Sequence, residues 1–313
     1  MIKGNKEREL IALVGPTCIG KTKIAIEISK LLNTEIVSAD SIQVYIGMDI
    51  GTSKPTINQR KEIVHHMIDI CLPDHIMTVA EFQKLARKCI DDISNKGKTP
   101  FLVGGSGLYI RAVIDDLHFA NNIFNEEQRY KIRKRVESEG LKSLFKELIK
   151  IDQEYAKKIS PTDERRIIRA LEVYYISGKK FSSFQKEWNK RKSIYNLTMI
   201  GLNKNRNELY SDIEKRVDDM ISYGLFEEVK GLIEKGYRDS LSLKQAIGYK
   251  EVLDFYNGEL SREETINLIK KNTRNFAKRQ LTWLKADPRI NWIFIKKSEK
   301  FDNIIKKIIK IIS

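Results

Sequence analysis

Residues Gly15, Pro16, Thr17, Cys18, Ile19, Gly20, Lys21 and Thr22 match G-x-x-x-x-G-K-[S/T] at every fixed position. Glycines at both ends let the backbone curl until successive N–H groups line a concave nest. The start of the following helix adds partial positive charge at the same place. Lys21 can reach a terminal phosphate, and the Thr22 hydroxyl can ligate Mg2+. Such a loop grips a diphosphate or a triphosphate together with magnesium. It does not name a nucleotide, so an ATP-dependent P-loop kinase of a small molecule or nucleoside stands beside an enzyme that cradles the diphosphate of another donor.

A carboxylate belongs to the same crevice. The stretch EIVSADSIQVYIGMDIGTSKPT closes a strand at Asp40. There Asp40 can hold Mg2+ through water or serve as a general base, or it can cap a helix that follows. Ser41 and Gln43 offer short polar groups suited to a nucleobase edge, the Gln amide donating and accepting together. The run from Gly104 to Tyr109, GGSGLY, brings backbone close to the same crevice, while Arg111 beyond it reads as a solvated helix residue.

The elements that position these groups follow from apolar spacing. Leu10 to Val14 is a continuous apolar run, the mark of a parallel strand buried on both faces. Lys21 to Leu32 has helical spacing, with Ile24, Ile28, Leu31 and Leu32 on one face. Further strands are expected at Thr34–Val37 and Thr99–Val103, with a helix over Val79–Ile93 between them. This alternation implies an α/β fold, a P-loop-type core of parallel sheet flanked by helices, with its working loops at the carboxyl ends of the strands. From Phe119 the texture turns helical and rich in Lys, Arg and Glu, including a helix over Asp163–Ile176 that ends at Ser177-Gly178. Phe181–Lys192 is a further basic, aromatic-bearing stretch, and a strand resumes at Leu197–Leu202. We therefore expect a core of 1–118 and 196–313 carrying a mainly helical insertion at 119–195. Helices are expected at Arg206–Tyr223, Leu225–Lys235, Leu243–Tyr256, Arg262–Leu284 and Phe301–Ile312, with an edge strand at Asn291–Ile295.

Charge is distributed unevenly. The net charge is +15; residues 1–118 carry 15 Lys and Arg against 14 Asp and Glu, and residues 119–313 carry 42 against 28. A basic later portion suits a large polyanion. In the run RNFAKRQLTWLK, cations interleave with Phe276 and Trp283; Phe276 and Leu284 are expected to face inward, and Lys278, Arg279 and Lys285 outward.

Taken together, GPTCIGKT, SADSIQVYIGMDIGTSKPT, HHMIDI, VAEFQKLA, LVGGSGLYIRAVI, RRIIRALEVYYISGK, GLFEEVKGLIEKGY, QAIGYKE and TRNFAKRQLTWLK closely resemble the tRNA dimethylallyltransferase (tRNA isopentenyltransferase) family, in family order from about residue 10 to residue 293. The resemblance implies transfer of a dimethylallyl group from dimethylallyl diphosphate, with Mg2+, to the exocyclic amine of the adenosine 3′-adjacent to the anticodon (position 37), in tRNAs reading codons that begin with U. It implies that Asp40 is the general base, that Gly15 through Thr22 holds the diphosphate with Thr22 on the metal, and that Arg216 in EKRVDDM stabilises the departing diphosphate. It further implies contacts to the tRNA anticodon stem-loop from Asp40, Ser41, Ile42 and Gln43, from Ser106, and from Arg129. The segments around Arg165, Arg166, Ile167, Ile168 and Arg169, then Gln245, Gly248, Tyr249 and Lys250, and finally Lys278, Arg279, Gln280, Trp283 and Lys285 match further tRNA-contacting positions. Ser106 stands where the family usually has Thr, Cys18-Ile19 where Ala-Ser is common, and Asp212 where an arginine often sits.

Composition excludes other classes. At 41% apolar and 32% charged residues the chain is a globular protein rather than a disordered one. No signal-peptide h-region or membrane-length apolar run is present, so a cytoplasmic protein with no membrane partner is expected. The tail NIIKKIIKII reads as a packing helix. Cys18, Cys71 and Cys89 lack CxxC spacing and read as reduced thiols, and His65, His66, His75 and His118 lack the spacing of a zinc site. No stretch reads as a dimer seam, so a monomer without an obligate protein partner is expected.

Overall fold

The computed structural model describes residues 8–117, 119, 125–185, 188 and 190–313. His118 and residues 186, 187 and 189 of the basic stretch after Phe181 lie outside the described residues. The chain divides into two compact units, Met1–Ile114 with Ser193–Ser313, and Asp115–Lys192.

The larger unit is built on six strands: β1 Glu9–Val14, β2 Ile36–Ala39, β3 His65–His66, β4 Phe101–Gly104, β5 Asn196–Lys204 and β6 Ile290–Ile295. They form one sheet in the order β3-β2-β4-β1-β5-β6 with every pair parallel. Its helices are α1 Lys21–Leu31, α2 Ile57–Glu62, α3 Val79–Asn95 and α4 Gly107–Ile114. The smaller unit supplies α5 Glu126–Glu139, α6 Leu141–Ile151, α7 Gln153–Ala156, α8 Glu164–Ser177 and α9 Phe181–Phe184. The larger unit then continues with α10 Arg206–Ser222, α11 Leu225–Glu234, α12 Leu241–Gln245, α13 Tyr249–Tyr256, α14 Arg262–Lys285 and α15 Phe301–Ile312.

The period of two in a strand explains the layering. Along β1, Leu10, Ala12 and Val14 enter one apolar cluster, while Ile11 and Leu13 enter the other. The first cluster is completed by residues of α3, α4, α11 and α13, and the second by α1, α10 and α15. A sheet coated on both faces needs continuous apolar strands, which is why LIALV carries no polar residue. The tail helix packs Ile304, Ile305 and Ile308 into the second cluster. No helix among the described residues is long and apolar enough to cross a membrane.

Several details depart from the reading of the sequence. α15 covers a flank of α1, so Ile26 is buried and Leu31 is 60% exposed rather than part of the inward face. Arg111 is buried, because α4 is packed against both α3 and α14. The expected helix over Leu243–Tyr256 is broken at Ala246–Gly248. Gly248 adopts φ 94°, which a residue with a Cβ resists, and its N–H donates to the Glu251 carboxylate at 2.7 Å to start α13 afresh. The two-residue strand β3 and the short helix α2 carry too little apolar periodicity to be expected.

The smaller unit has its own core of Ile132, Leu144, Leu148, Tyr155, Ile159, Ile167, Ile168 and Leu171. Gly178 ends α8 at φ 67° with its N–H on the Tyr174 carbonyl, as the Ser-Gly signal predicts. Buried Asp152 accepts from the N–H groups of Tyr155 and Ser182, joining α7 to α9.

Candidate active site

Three neighbouring strands deliver the candidate groups. In sheet order β2-β4-β1, the register sets Ala39 beside Gly104 and Gly104 beside Val14. Asp40, Gly105 and Gly15 are each the next residue, so all three emerge at the same carboxyl edge. The glycines are required by that closeness. A Cβ on Gly104 would lie 2.3 Å from the Ala39 carbonyl oxygen, and one on Gly105 2.8 Å from that of Gly15. Above this edge opens a cavity of about 460 Å3 lined by the phosphate-type loop, Asp40, Gln43, Gly104, Gly105, Arg216, Phe276 and Gln280.

The loop has nest geometry. Cys18 at φ 63° and Gly20 at φ 91° turn the backbone, and α1 starts at Lys21 with no side-chain cap. Its first N–H groups therefore remain available to an anion. A non-glycine residue such as Cys18 stays in the left-handed region only where its surroundings over-determine it. Thr17 supplies that restraint: its N–H donates to Gln280 Oε1 at 2.8 Å, and its hydroxyl accepts from Arg216 at 3.3 Å. The same guanidinium reaches Cys18 Sγ at 3.6 Å. Lys21 Nζ donates to the Gly15 and Pro16 carbonyls at 2.9 and 2.7 Å, and Ile19 is buried beneath the loop.

Burial, and then the charge of Arg216, pull the Lys21 ammonium down to about 8 from its ordinary value near 10.5. A lowered pKa means that the site disfavours the cation, so Lys21 is charged below about pH 8 and neutral above it. An anionic substrate opposes that shift once bound. The expected pH profile follows. kcat/KM for a diphosphate-bearing donor falls with unit slope above about pH 8, whereas kcat holds to higher pH. Initial rates at limiting and saturating donor between pH 6.5 and 10 check it; an unbroken kcat/KM through pH 9 would contradict the role of the Lys21 charge.

Asp40 does not cap a helix. Its Oδ1 accepts from the N–H groups of Ile42 at 2.9 Å and Gln43 at 3.3 Å, shaping a turn, and the next helix begins only at Ile57. Among the described residues no hydrogen bond engages Oδ2. The Gln43 amide is oriented on both sides, with Ser38 Oγ donating to Oε1 at 2.9 Å and Nε2 donating to the Thr52 carbonyl at 3.2 Å. One N–H and one lone pair are left for a partner. Asp212, also on the cavity wall, is held by Lys204 at 2.5 Å, which offsets its charge toward an anion.

The positions matched to tRNA contacts separate into surface and interior. Arg165, Arg166, Gln245, Lys250, Lys278, Arg279, Trp283 and Lys285 are exposed. Ser41, Ile42 and Gln43 are half-buried beside Asp40, as is Ser106 at the head of α4. Ile167 and Ile168 lie in the core of the smaller unit and support α8 rather than offering a side chain to a ligand. Arg129 and Arg169 both bond the buried carboxylate of Glu172, at 2.9 and 2.6 Å. Tyr249 is fully buried: its hydroxyl donates to Glu228, whose carboxylate also accepts from the N–H groups of Asp49, Ile50 and Gly51. Gln280 is 6% exposed and faces the P-loop, not solvent.

Comparison with known proteins bears on what this cleft serves. A family profile described as IPP transferase matches residues 43–287. The chain belongs to the IPP transferase family. The tRNA dimethylallyltransferase of Caldanaerobacter subterraneus subsp. tengcongensis is 45% identical over 302 residues, 96% of each protein. Among solved structures, the full-length tRNA isopentenylpyrophosphate transferase of Bacillus halodurans superposes with a TM-score of 0.73 at 42% identity, covering 98% of this chain and 96% of that one. A eukaryotic dimethylallyltransferase acting on tRNA gives a TM-score of 0.79 at 26% identity, over 96% of this chain and 77% of that one. The IPP transferase match takes in Arg216 on α10 and Gln280 on α14. Lys54, His65 and Phe276 also form cavity walls, a role that their places in the sequence did not reveal. Lys54 is buried, donating to the Tyr45 carbonyl and to Asp49 and Asp69, and it steadies the wall that carries Thr52. Only its place in GTSKPT hints at that.

Proposed function

We propose that this protein transfers the dimethylallyl group of dimethylallyl diphosphate to the exocyclic amine of the adenosine 3′-adjacent to the anticodon, position 37, in tRNAs reading codons that begin with U. The observation that carries the reading is one cavity holding a carboxylate, Asp40, together with an anion loop, Lys21 and Arg216. An adenine amine is a weak nucleophile, so the donor carbon has to develop cationic character as its bond to oxygen breaks. The electron pair leaves on a diphosphate oxygen, where Lys21, Arg216 and the free N–H groups at the start of α1 neutralise it. The amine lone pair forms the new C–N bond, and Asp40 accepts the proton the nitrogen must lose.

Mg2+ fits the donor set: the Thr22 hydroxyl is a hard oxygen ligand on the cavity wall, and such an ion takes its remaining ligands from water and substrate phosphate oxygens. When bound it supplies further charge neutralisation on the leaving diphosphate.

The target base has to leave its stack to reach Asp40, which the unpaired bases of an anticodon loop permit. The oriented Gln43 amide offers one donor and one acceptor to its edge. Lys278, Arg279 and Lys285 along α14, with Arg165 and Arg166 at the start of α8, serve as phosphate contacts. The experiment that tests the reading offers labelled donor and Mg2+ to an anticodon stem-loop, to free adenosine monophosphate, and to ATP. Label in the stem-loop alone is expected, weakening steeply as salt rises. Turnover of ATP with no label in RNA would return the loop to a kinase.

A further inference from the structure

The RNA-facing helix α14 also reaches the donor loop, through one side chain. Gln280 lies on the inward stripe of α14 with Phe276 and Leu284, opposite Lys278, Arg279 and Lys285. Its Oε1 accepts from the N–H of Thr17 at 2.8 Å, inside the phosphate-binding nest. Thr17 is therefore held at two points: the backbone by Gln280 and the hydroxyl by Arg216. The approach is built into the sheet, because a Cβ on Gly105 would lie 2.4 Å from Gln280 Nε2. Gly107 leaves the same kind of space for Trp283, where a Cβ would meet the indole at 2.5 Å.

We propose that Gln280 is a positioning residue for donor binding: it fixes the Thr17 peptide, and so sets the directions in which the following N–H groups of the loop point. This places it among the donor-site residues rather than the RNA contacts, and it rests on the reading of the loop as a diphosphate site. Cys18 makes the dependence direct. It sits one residue after the pinned peptide at φ 63°, a conformation that needs outside support. Without the Gln280 acceptor, the Thr17 N–H either turns toward the cavity or loses its partner, and the nest widens. The Phe276–Gln280–Leu284 stripe on α14 further makes Gln280 a link between the helix that carries the exposed cations and the loop that carries the donor.

The test uses inorganic diphosphate with Mg2+ as probe, titrated calorimetrically into the full chain in the absence of RNA. Gln280→Met keeps length and volume but removes the strong acceptor. A neutral hydrogen bond of this kind corresponds to a weakening of about 3–10-fold in Kd. The expected result is that weakening, with KM for tRNA within twofold of wild type and the thermal midpoint lowered by no more than a few degrees. Gln280→Asn, which keeps the amide but shortens its reach, is expected to weaken diphosphate to the same degree and covers the case in which the Met variant fails to fold. Wild-type affinity for diphosphate in both variants overturns the proposal, and so does a raised KM for tRNA with unchanged diphosphate affinity, which would make Gln280 an RNA contact. A wild-type protein that binds diphosphate but transfers no prenyl group to RNA would instead sink the proposed reaction, leaving the Gln280 result to be read on its own.

Discussion

Asp40→Asn is expected to lower the rate of prenyl transfer by about 10²–10⁴-fold, the usual contribution of a positioned general base, with little change in either KM. The substitution is chosen for what it keeps. Oδ1 of Asp40 accepts from the Ile42 and Gln43 N–H groups, and an Asn side-chain oxygen preserves both bonds. The turn, and with it the oriented Gln43 amide, should survive. What is lost is the second oxygen's capacity to take a proton from the attacking amine. Asp40→Ala removes the turn as well and should add a rise in KM for tRNA to the same fall in kcat. Single-turnover rates at saturating donor check both. A fall of less than about tenfold in Asp40→Asn would leave no room for proton removal by this carboxylate in the slow step.

Arg216→Ala is expected to reduce kcat/KM for the donor by about 10²–10³-fold, the scale of removing one charged donor from a developing anion. It should also move the alkaline limb of the pH profile. Arg216 is one of the two causes that bring Lys21 down to about 8, after burial. Without that neighbouring cation Lys21 regains some of its proton affinity, so the limb shifts to higher pH even as activity falls. Loss of activity with an unmoved limb would mean that the two cations do not share the site. The Arg216 bond to the Thr17 hydroxyl is long at 3.3 Å, so its removal should disturb the loop less than removing Gln280.

Much of this architecture is written in short-range pattern. The run LIALVGPTCIGKT declares a buried strand, a nest and a helix in order, and the structure supplies all three. Helices with strong periodicity or clear caps, such as α3 after Thr78 and α14 after Ser261, fall where their residues place them. What escaped depends on long-range packing. Arg111 looks like a surface cation until α3 and α14 close over it. Leu31 and Ile26 exchange places because a helix 270 residues later covers one flank of α1. Gln280 is the instructive case. Read by charge it belongs with Lys278 and Arg279, but its spacing of four from both Phe276 and Leu284 puts it on the inward stripe. Likewise Tyr249, Ile167 and Ile168 sit in segments matched to RNA contacts yet face the interior, since a segment that meets a ligand still needs residues that hold it down.

On the proposed reading, the carboxylate and the anion loop of this one cavity carry out prenyl transfer to RNA without nucleotide hydrolysis. The most direct measurement incubates the purified chain with labelled dimethylallyl diphosphate, Mg2+ and unmodified tRNA bearing a phenylalanine-type anticodon loop, without ATP, then digests the RNA and identifies the labelled nucleoside by mass spectrometry. One labelled species is expected, adenosine carrying a dimethylallyl group on its exocyclic amine at position 37, absent with Asp40→Asn on the same timescale. RNA recovered without label, while the protein binds or hydrolyses ATP, would contradict that reading.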